Sequence, residues 1–103
     1  MERRSQRSEA TLSQRIEVAA DETISSQARR YAEFRVFAAL TQSAQIRNAR
    51  SARVVLRQLN PDGQCSGVAC TVTVSFEAGT VRIRASGAHA YAAINRAVER
   101  IRS

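Results

Sequence analysis

All the basic residues of this chain are arginines, and the chemistry that they offer is the binding of phosphate. The 103 residues include sixteen arginines, no lysine and nine carboxylates, for a formal net charge of +7. A guanidinium group is a planar, permanently charged fork that can grip a phosphate through two hydrogen bonds at once. A coding bias toward arginine would explain the absence of lysine, but it would not add positive charge. The composition therefore predicts a polyanionic partner.

The positive charge is concentrated in two segments. Residues 29–57 contain seven arginines and a single glutamate, and residues 82–102 contain five arginines and a single glutamate. Their local charges are +6 and +4, whereas the rest of the chain carries a net charge of −3. We therefore expect localised basic surfaces on the folded protein.

The other residues capable of chemistry are few. The chain has two cysteines, Cys65 and Cys70, and one histidine, His89, and these three residues cannot supply the four ligands of a structural zinc site. A Cys65–Cys70 disulfide is less expected than a role for Cys70 in the core. His89 has no nucleophile or carboxylate at catalytic spacing and is predicted to lie on the surface near a helix start. The sequence thus predicts no enzyme, metal, cofactor or small-molecule substrate.

The chain is predicted to contain one domain, residues 12–103, preceded by a disordered basic tail, residues 1–11. No apolar run is long enough to span a bilayer, and no segment has the pattern of a signal peptide. A soluble cytoplasmic protein without a membrane partner is the expectation.

The first half of the domain is predicted to form a strand and a helix. Polarity alternates from Leu12, with Ile16 and Val18 on the inward side. A helix is predicted over 26–42, capped by Thr23 or Ser25. Its apolar stripe consists of Ala28, Ala32, Val36, Ala39 and Leu40. Phe34 and Phe37 cannot both lie at the centre of this stripe.

The second half is predicted to form three strands and a second helix. Strong turns at Asn60-Pro61-Asp62-Gly63 and Ala78-Gly79 separate the strands. The inward residues of the three strands are predicted to be Val54 and Leu56, then Cys70, Val72, Val74 and Phe76, then Val81, Ile83 and Ala85. The last helix is predicted over about 88–102, with a buried stripe of Tyr91, Ile94, Val98 and Ile101 beside Ala97.

This order predicts an α+β fold, a two-layer sandwich with the topology β-α-β-β-β-α. Both helices would pack on one face of a four-stranded sheet and cover its apolar side, over a core rich in small residues. The other face would carry Arg53, Arg57, Arg82 and Arg84 among threonines and serines. These arginines could contact RNA, or they could simply keep the sheet soluble. The open face also leaves room for weak pairing with a second copy.

Three segments of this arrangement resemble the ribosome hibernation-promoting factor family, which includes ribosome-associated inhibitors of translation. The first helix contains Arg29-Arg30-Tyr31-Ala32-Glu33 and continues to Leu40, and two strands contain Arg53-Val54-Val55-Leu56 and Cys70-Thr71-Val72-Thr73-Val74. The most specific segment is Tyr91-Ala92-Ala93-Ile94-Asn95-Arg96-Ala97 in the last helix. Where the family commonly carries an acidic residue before this tyrosine, the chain has 87–90 without one, which predicts a weaker helix start. The resemblance spans residues 12–103 and is to the short form of the family.

The resemblance implies a protein that binds small-subunit ribosomal RNA in the channel used by mRNA and tRNA and inhibits translation during stress. The resemblance further implies that the RNA is held mainly through basic residues on the helices and the neighbouring loops. On this chain the corresponding residues are Arg29, Arg30 and Arg35 in the first helix and Arg96, Arg100 and Arg102 in the last. An alternative is a diverged RNA- or protein-binding module that shares the fold and has lost ribosome binding.

Overall fold

The protein folds into four strands and two helices in the predicted order. The computed structural model describes residues 16–42, 49–59 and 67–102. The elements are β1 (Ile16–Ala20), α1 (Ser26–Gln42), β2 (Ser51–Leu59), β3 (Gly67–Ser75), β4 (Thr80–Gly87) and α2 (Ala90–Arg102). This order confirms the α+β sandwich. The predicted tail, the start of the first strand at Leu12, the Asn60–Gly63 turn and Cys65 lie outside the described residues.

The sheet has the order β1-β2-β3-β4. β1 pairs with β2 in parallel, and β2, β3 and β4 form consecutive antiparallel pairs. Parallel neighbours need a crossover connection, which α1 provides. Across the sheet, Val18, Val54, Val72 and Ile83 stand opposite one another on the inward face. This register places the apolar side chains of all four strands beneath the helices.

Helix α1 matches its sequence prediction in both ends and in its buried stripe. Ser25 is the cap, because its Oγ accepts a hydrogen bond from the Ala28 N–H at 3.1 Å. Of the two phenylalanines, Phe37 packs against the core, while Phe34 is 68% exposed on the outward side. A stripe made mostly of alanine lets α1 approach the sheet closely.

The core lies between the sheet and the two helices and is rich in alanine and valine, as predicted. Its largest fully buried side chains are Leu40, Leu56, Ile94, Val36, Val54, Val72, Val74 and Val98, together with Cys70. Cys70 is therefore a core residue, and burial raises the pKa of its thiol to about 11. Val81 was predicted to face inward, and its pairing with Val74 places it on that face. It is nevertheless 44% exposed because it lies near the start of the edge strand, close to the hairpin.

Helix α2 begins at Ala90, two residues later than predicted. The expectation that Tyr91 belongs to its buried stripe is wrong, because Tyr91 is 38% exposed in the first turn. The buried residues of α2 are Ala93, Ile94, Ala97, Val98 and Ile101. Tyr91 is the second residue of the helix and lies at the margin of the core. It is therefore less buried than the helical periodicity predicts.

Candidate nucleic-acid interface

The six helical arginines lie on α1 and α2, with three arginines and one glutamate on each helix. We call the outward sides of these two helices the helical surface. Arg29, Arg30 and Arg102 are exposed there. Within the described part of the chain these three side chains form no hydrogen bond or ion pair. Their guanidinium groups are therefore available to an external anion.

Arg96 and Arg100 are exposed but make bonds within the protein. Arg96 Nη1 donates to the Ser86 carbonyl at 2.9 Å, and Arg100 Nη1 donates to the Arg84 carbonyl at 2.6 Å. Both carbonyls belong to β4, the last strand of the sheet, and no strand of the described ranges pairs with its outer edge. The two arginines thus tie α2 to β4 and cover acceptors that an unprotected edge would offer to another chain.

Replacing Arg96 and Arg100 with alanine should lower the stability of the protein and promote its self-association. We expect the free energy of unfolding to fall by about 1 kcal/mol, since solvent competes for these exposed hydrogen bonds. Urea denaturation and size-exclusion chromatography would measure both effects. The matched control removes Arg29 and Arg30, which should leave stability and association unchanged. Equal stability of the two double variants would contradict the structural role of Arg96 and Arg100.

Arg35 belongs to a contact network between the two helices. Its guanidinium carbon lies 6.0 Å from the centre of the Tyr31 ring, at the outer limit of a cation–π contact. Its Nε is buried and has no hydrogen-bond partner among the described residues. Arg35 is therefore more enclosed than Arg29 or Arg30, and only part of its side chain can reach an external anion.

The same network joins the N-terminal halves of α1 and α2. Tyr31 donates its hydroxyl proton to Asn95 Oδ1 at 2.7 Å. The rings of Tyr31 and Tyr91 meet edge to face, with centres 5.0 Å apart and planes at 60°. Asn95 belongs to the segment 91–97 that carries the family resemblance, but the sequence indicated no role for it. Its partner lies 64 residues earlier, which no local pattern reveals.

His89 lies on the surface at the start of α2, as predicted. Its Nδ1 accepts a hydrogen bond from the Ala92 N–H at 3.2 Å, which caps the helix. This cap compensates for the acidic residue whose absence predicted a weaker helix start. Because Nδ1 accepts, the proton of the neutral ring is on Nε2, which can donate outward.

The four strand arginines lie on the open sheet face, defined here as the surface opposite the helices. Arg53 and Arg82 stand in one cross-strand row with Thr73 between them, and Glu17 ends that row. Arg57 stands opposite Ala69, and Arg84 opposite Thr71. All four arginines are exposed. They form a second basic surface, separated from the helical surface by the thickness of the sheet.

The structure therefore divides the ten candidate arginines between opposite sides of the molecule. Within the described residues, no group of three or more metal-binding side chains comes together. No helix in the same ranges is long and apolar enough to cross a membrane.

Comparison with known proteins gives matches in structure. Neither a protein-family model nor a curated protein matches the sequence. The structure is similar to a ribosomal subunit interface protein from Coxiella burnetii, with a TM-score of 0.67 and 12% identity. It is also similar to the Protein Y N-terminal domain of Thermus thermophilus, with a TM-score of 0.63 and 26% identity. Each match covers 84% of this chain and 88% of the other. These matches confirm the resemblance to the ribosome hibernation-promoting factor family.

Proposed function

We propose that this protein is a ribosome-associated factor that binds small-subunit ribosomal RNA in the mRNA and tRNA channel and inhibits translation. The observation that carries this proposal is the structural match to a ribosomal subunit interface protein and to the Protein Y N-terminal domain over most of the chain. The arginine-rich surfaces add the charge that RNA binding needs. Action by occupying the channel requires no catalytic residue.

The helical surface is proposed as the main RNA contact. Arg29, Arg30 and Arg102 are exposed and available, and the resemblance assigns RNA binding to the helices. Arg96 has further donors beyond the one that bonds to β4, so it can contact phosphate while it holds the strand edge. Arg100 adds its positive charge to the same surface. Arg35 contributes mainly through its charge.

The open sheet face is proposed as a secondary contact. Its four arginines are opposed by Glu17 and by Asp21, which follows β1 and whose Oδ2 accepts a hydrogen bond from the Gln58 N–H at 2.8 Å. The balance of charge is therefore less positive than four arginines alone would give. The same face could also pair weakly with a second copy of the protein.

The alternative function is that of an RNA- or protein-binding module that no longer binds ribosomes. The bonds of Arg96 and Arg100 to β4 favour it, because a structural role alone would account for these two arginines. The two functions differ in their target, since such a module would bind isolated RNA or a protein without affecting translation.

An order-of-addition experiment in cell-free translation tests the proposed mechanism. Purified protein should inhibit translation when it is added before mRNA and initiator tRNA, and should inhibit far less when it is added afterwards. Inhibition that is independent of the order would contradict competition for the channel. Absence of inhibition in both orders would favour the alternative module.

The affinity for small subunits should fall steeply with salt. If six to eight arginines each meet a phosphate, counterion release predicts a slope of about −4 to −6 for log affinity against log salt concentration. Fluorescence titration of labelled protein with small subunits, repeated at several salt concentrations, measures this slope. A slope near zero would show that charge does not drive the binding.

A further inference from the structure

A cleft opens at the end of the molecule where both helices begin. Its volume is about 300 Å³, and β2, β3, α1 and α2 all contribute to its lining. Ile24, Ala28 and Val68 give it an apolar floor, and each of them is more than nine-tenths buried. Tyr91 and His89 stand at its rim. An apolar floor with a few polar groups at the rim is the usual character of a small ligand site.

The Tyr91 ring is exposed and yet held in place. Its edge-to-face contact with Tyr31 fixes one side of the ring, and the bond from Tyr31 to Asn95 fixes Tyr31 in turn. A ring that is already ordered loses little conformational entropy when a ligand stacks on it. An exposed, anchored aromatic ring beside a cleft is therefore suited to binding another flat ring.

The surroundings of the cleft favour a ring that is attached to phosphates. Arg29 and Arg30 directly follow Ala28 of the cleft floor, and both are exposed. His89 can donate from Nε2 at the rim, because its Nδ1 is occupied by the helix cap. A flat ring in the cleft would thus have a hydrogen-bond donor at the rim, with the exposed Arg29 and Arg30 on the adjoining outward side of α1.

We infer that the cleft binds an unpaired nucleobase of an RNA strand, stacked on Tyr91, with the adjacent phosphates held by Arg29 and Arg30. The inference rests on the proposed function in that the protein must bind RNA. It adds a preference for single strands, because a base inside a duplex is already stacked and cannot enter the cleft. Neither the charge of the helical surface nor the match in fold assigns this role to Tyr91.

The test measures the binding of a short, unstructured RNA that carries one fluorescent pyrrolocytosine. A duplex of the same sequence and adenosine monophosphate are measured as comparison ligands. Wild-type protein should bind the single strand more tightly than the duplex and quench the fluorescent base. Tyr91→Ala should weaken single-strand binding about tenfold and remove the quenching. Tyr91→Phe keeps the ring and should retain both. Phe34→Ala removes an exposed ring outside the cleft and should have no effect on either.

Each other outcome overturns a definite part of the inference. Equal binding of single strand and duplex, unchanged in Tyr91→Ala, would overturn the stacking site and leave RNA binding intact. Mononucleotide binding as tight as that of the strand would overturn the role of the strand and make the cleft a free-nucleotide site. If wild-type protein binds neither RNA but sediments with small subunits, the inference fails and the proposed function stands. If it also fails to sediment with small subunits, both fail. A loss in Tyr91→Phe equal to that in Tyr91→Ala would exclude stacking as the cause.

Discussion

A triple variant that reverses the charge of Arg29, Arg30 and Arg102 to glutamate should lose most of its affinity for small ribosomal subunits. These three side chains are exposed on the helical surface and form no hydrogen bond or ion pair within the described part of the chain. If each contacts a phosphate, each replacement should cost about tenfold in affinity, and the salt slope should become shallower by about 2 to 3. Fluorescence titration at several salt concentrations measures both quantities.

A matched variant on the open sheet face separates a local contact from a general effect of charge. Changing Arg53, Arg57 and Arg82 to glutamate also lowers the net charge from +7 to +1, since each replacement removes one positive charge and adds one negative charge. We expect this variant to lose much less affinity than the helical variant. Equal losses would mean that only total charge matters, and a greater loss in the sheet variant would move the main interface to the open face.

Folding must be shown to be intact for this comparison. Arg29 and Arg30 lie near the start of α1, where glutamate interacts favourably with the helix dipole, whereas Arg102 lies at the end of α2, where glutamate is unfavourable. These effects are each below about 1 kcal/mol and oppose one another. Circular dichroism and thermal unfolding of both triple variants should therefore resemble those of the wild type.

Replacing Gly87 with alanine should strongly destabilise the protein. A Cβ at this position would lie 2.7 Å from Ala92 Cβ, 2.8 Å from Ala93 N and 2.9 Å from Ala92 C. Two of these atoms are backbone of α2, so the strain can be relieved only by moving the helix away from β4. We expect the free energy of unfolding to fall by about 3 kcal/mol in urea denaturation.

Gly79→Ala is the matched control for this substitution. Gly79 lies in the hairpin between β3 and β4, and a Cβ there would meet no atom within 4 Å. Its stability should be close to that of the wild type. If Gly87→Ala is as stable as Gly79→Ala, α2 does not approach the end of β4 as closely as the structure shows. The positions of His89 and Tyr91, which depend on that approach, would then also be wrong.

Much of the fold follows from patterns that are local in the sequence. The stripe of α1 is predictable because Ala28, Ala32 and Val36 recur at the spacing of one helical turn. The alternation around Val54 and Val72 likewise assigns the inward faces of β2 and β3, because one face of the sheet is buried. Where helical or strand periodicity is strong, burial follows from it directly.

The features that the sequence did not predict depend on contacts between distant elements. The bonds from Arg96 and Arg100 to β4 exist because α2 packs over β3 and β4, which brings these side chains to the carbonyls of the edge strand. No local pattern reveals this contact. Tyr91 fits the helical period of α2, but its position in the first turn leaves it at the margin of the core. The candidate arginines could be named from the sequence, whereas their division between two opposite surfaces required the sheet register.

Sedimentation with small ribosomal subunits tests the central claim most directly. Purified protein is mixed with purified small subunits and separated on a sucrose gradient at low and at high salt. The account predicts that the wild type moves with the subunits at low salt and remains at the top at high salt, and that the helical triple variant remains at the top in both. Wild-type protein that stays at the top of the gradient at low salt would contradict ribosome binding.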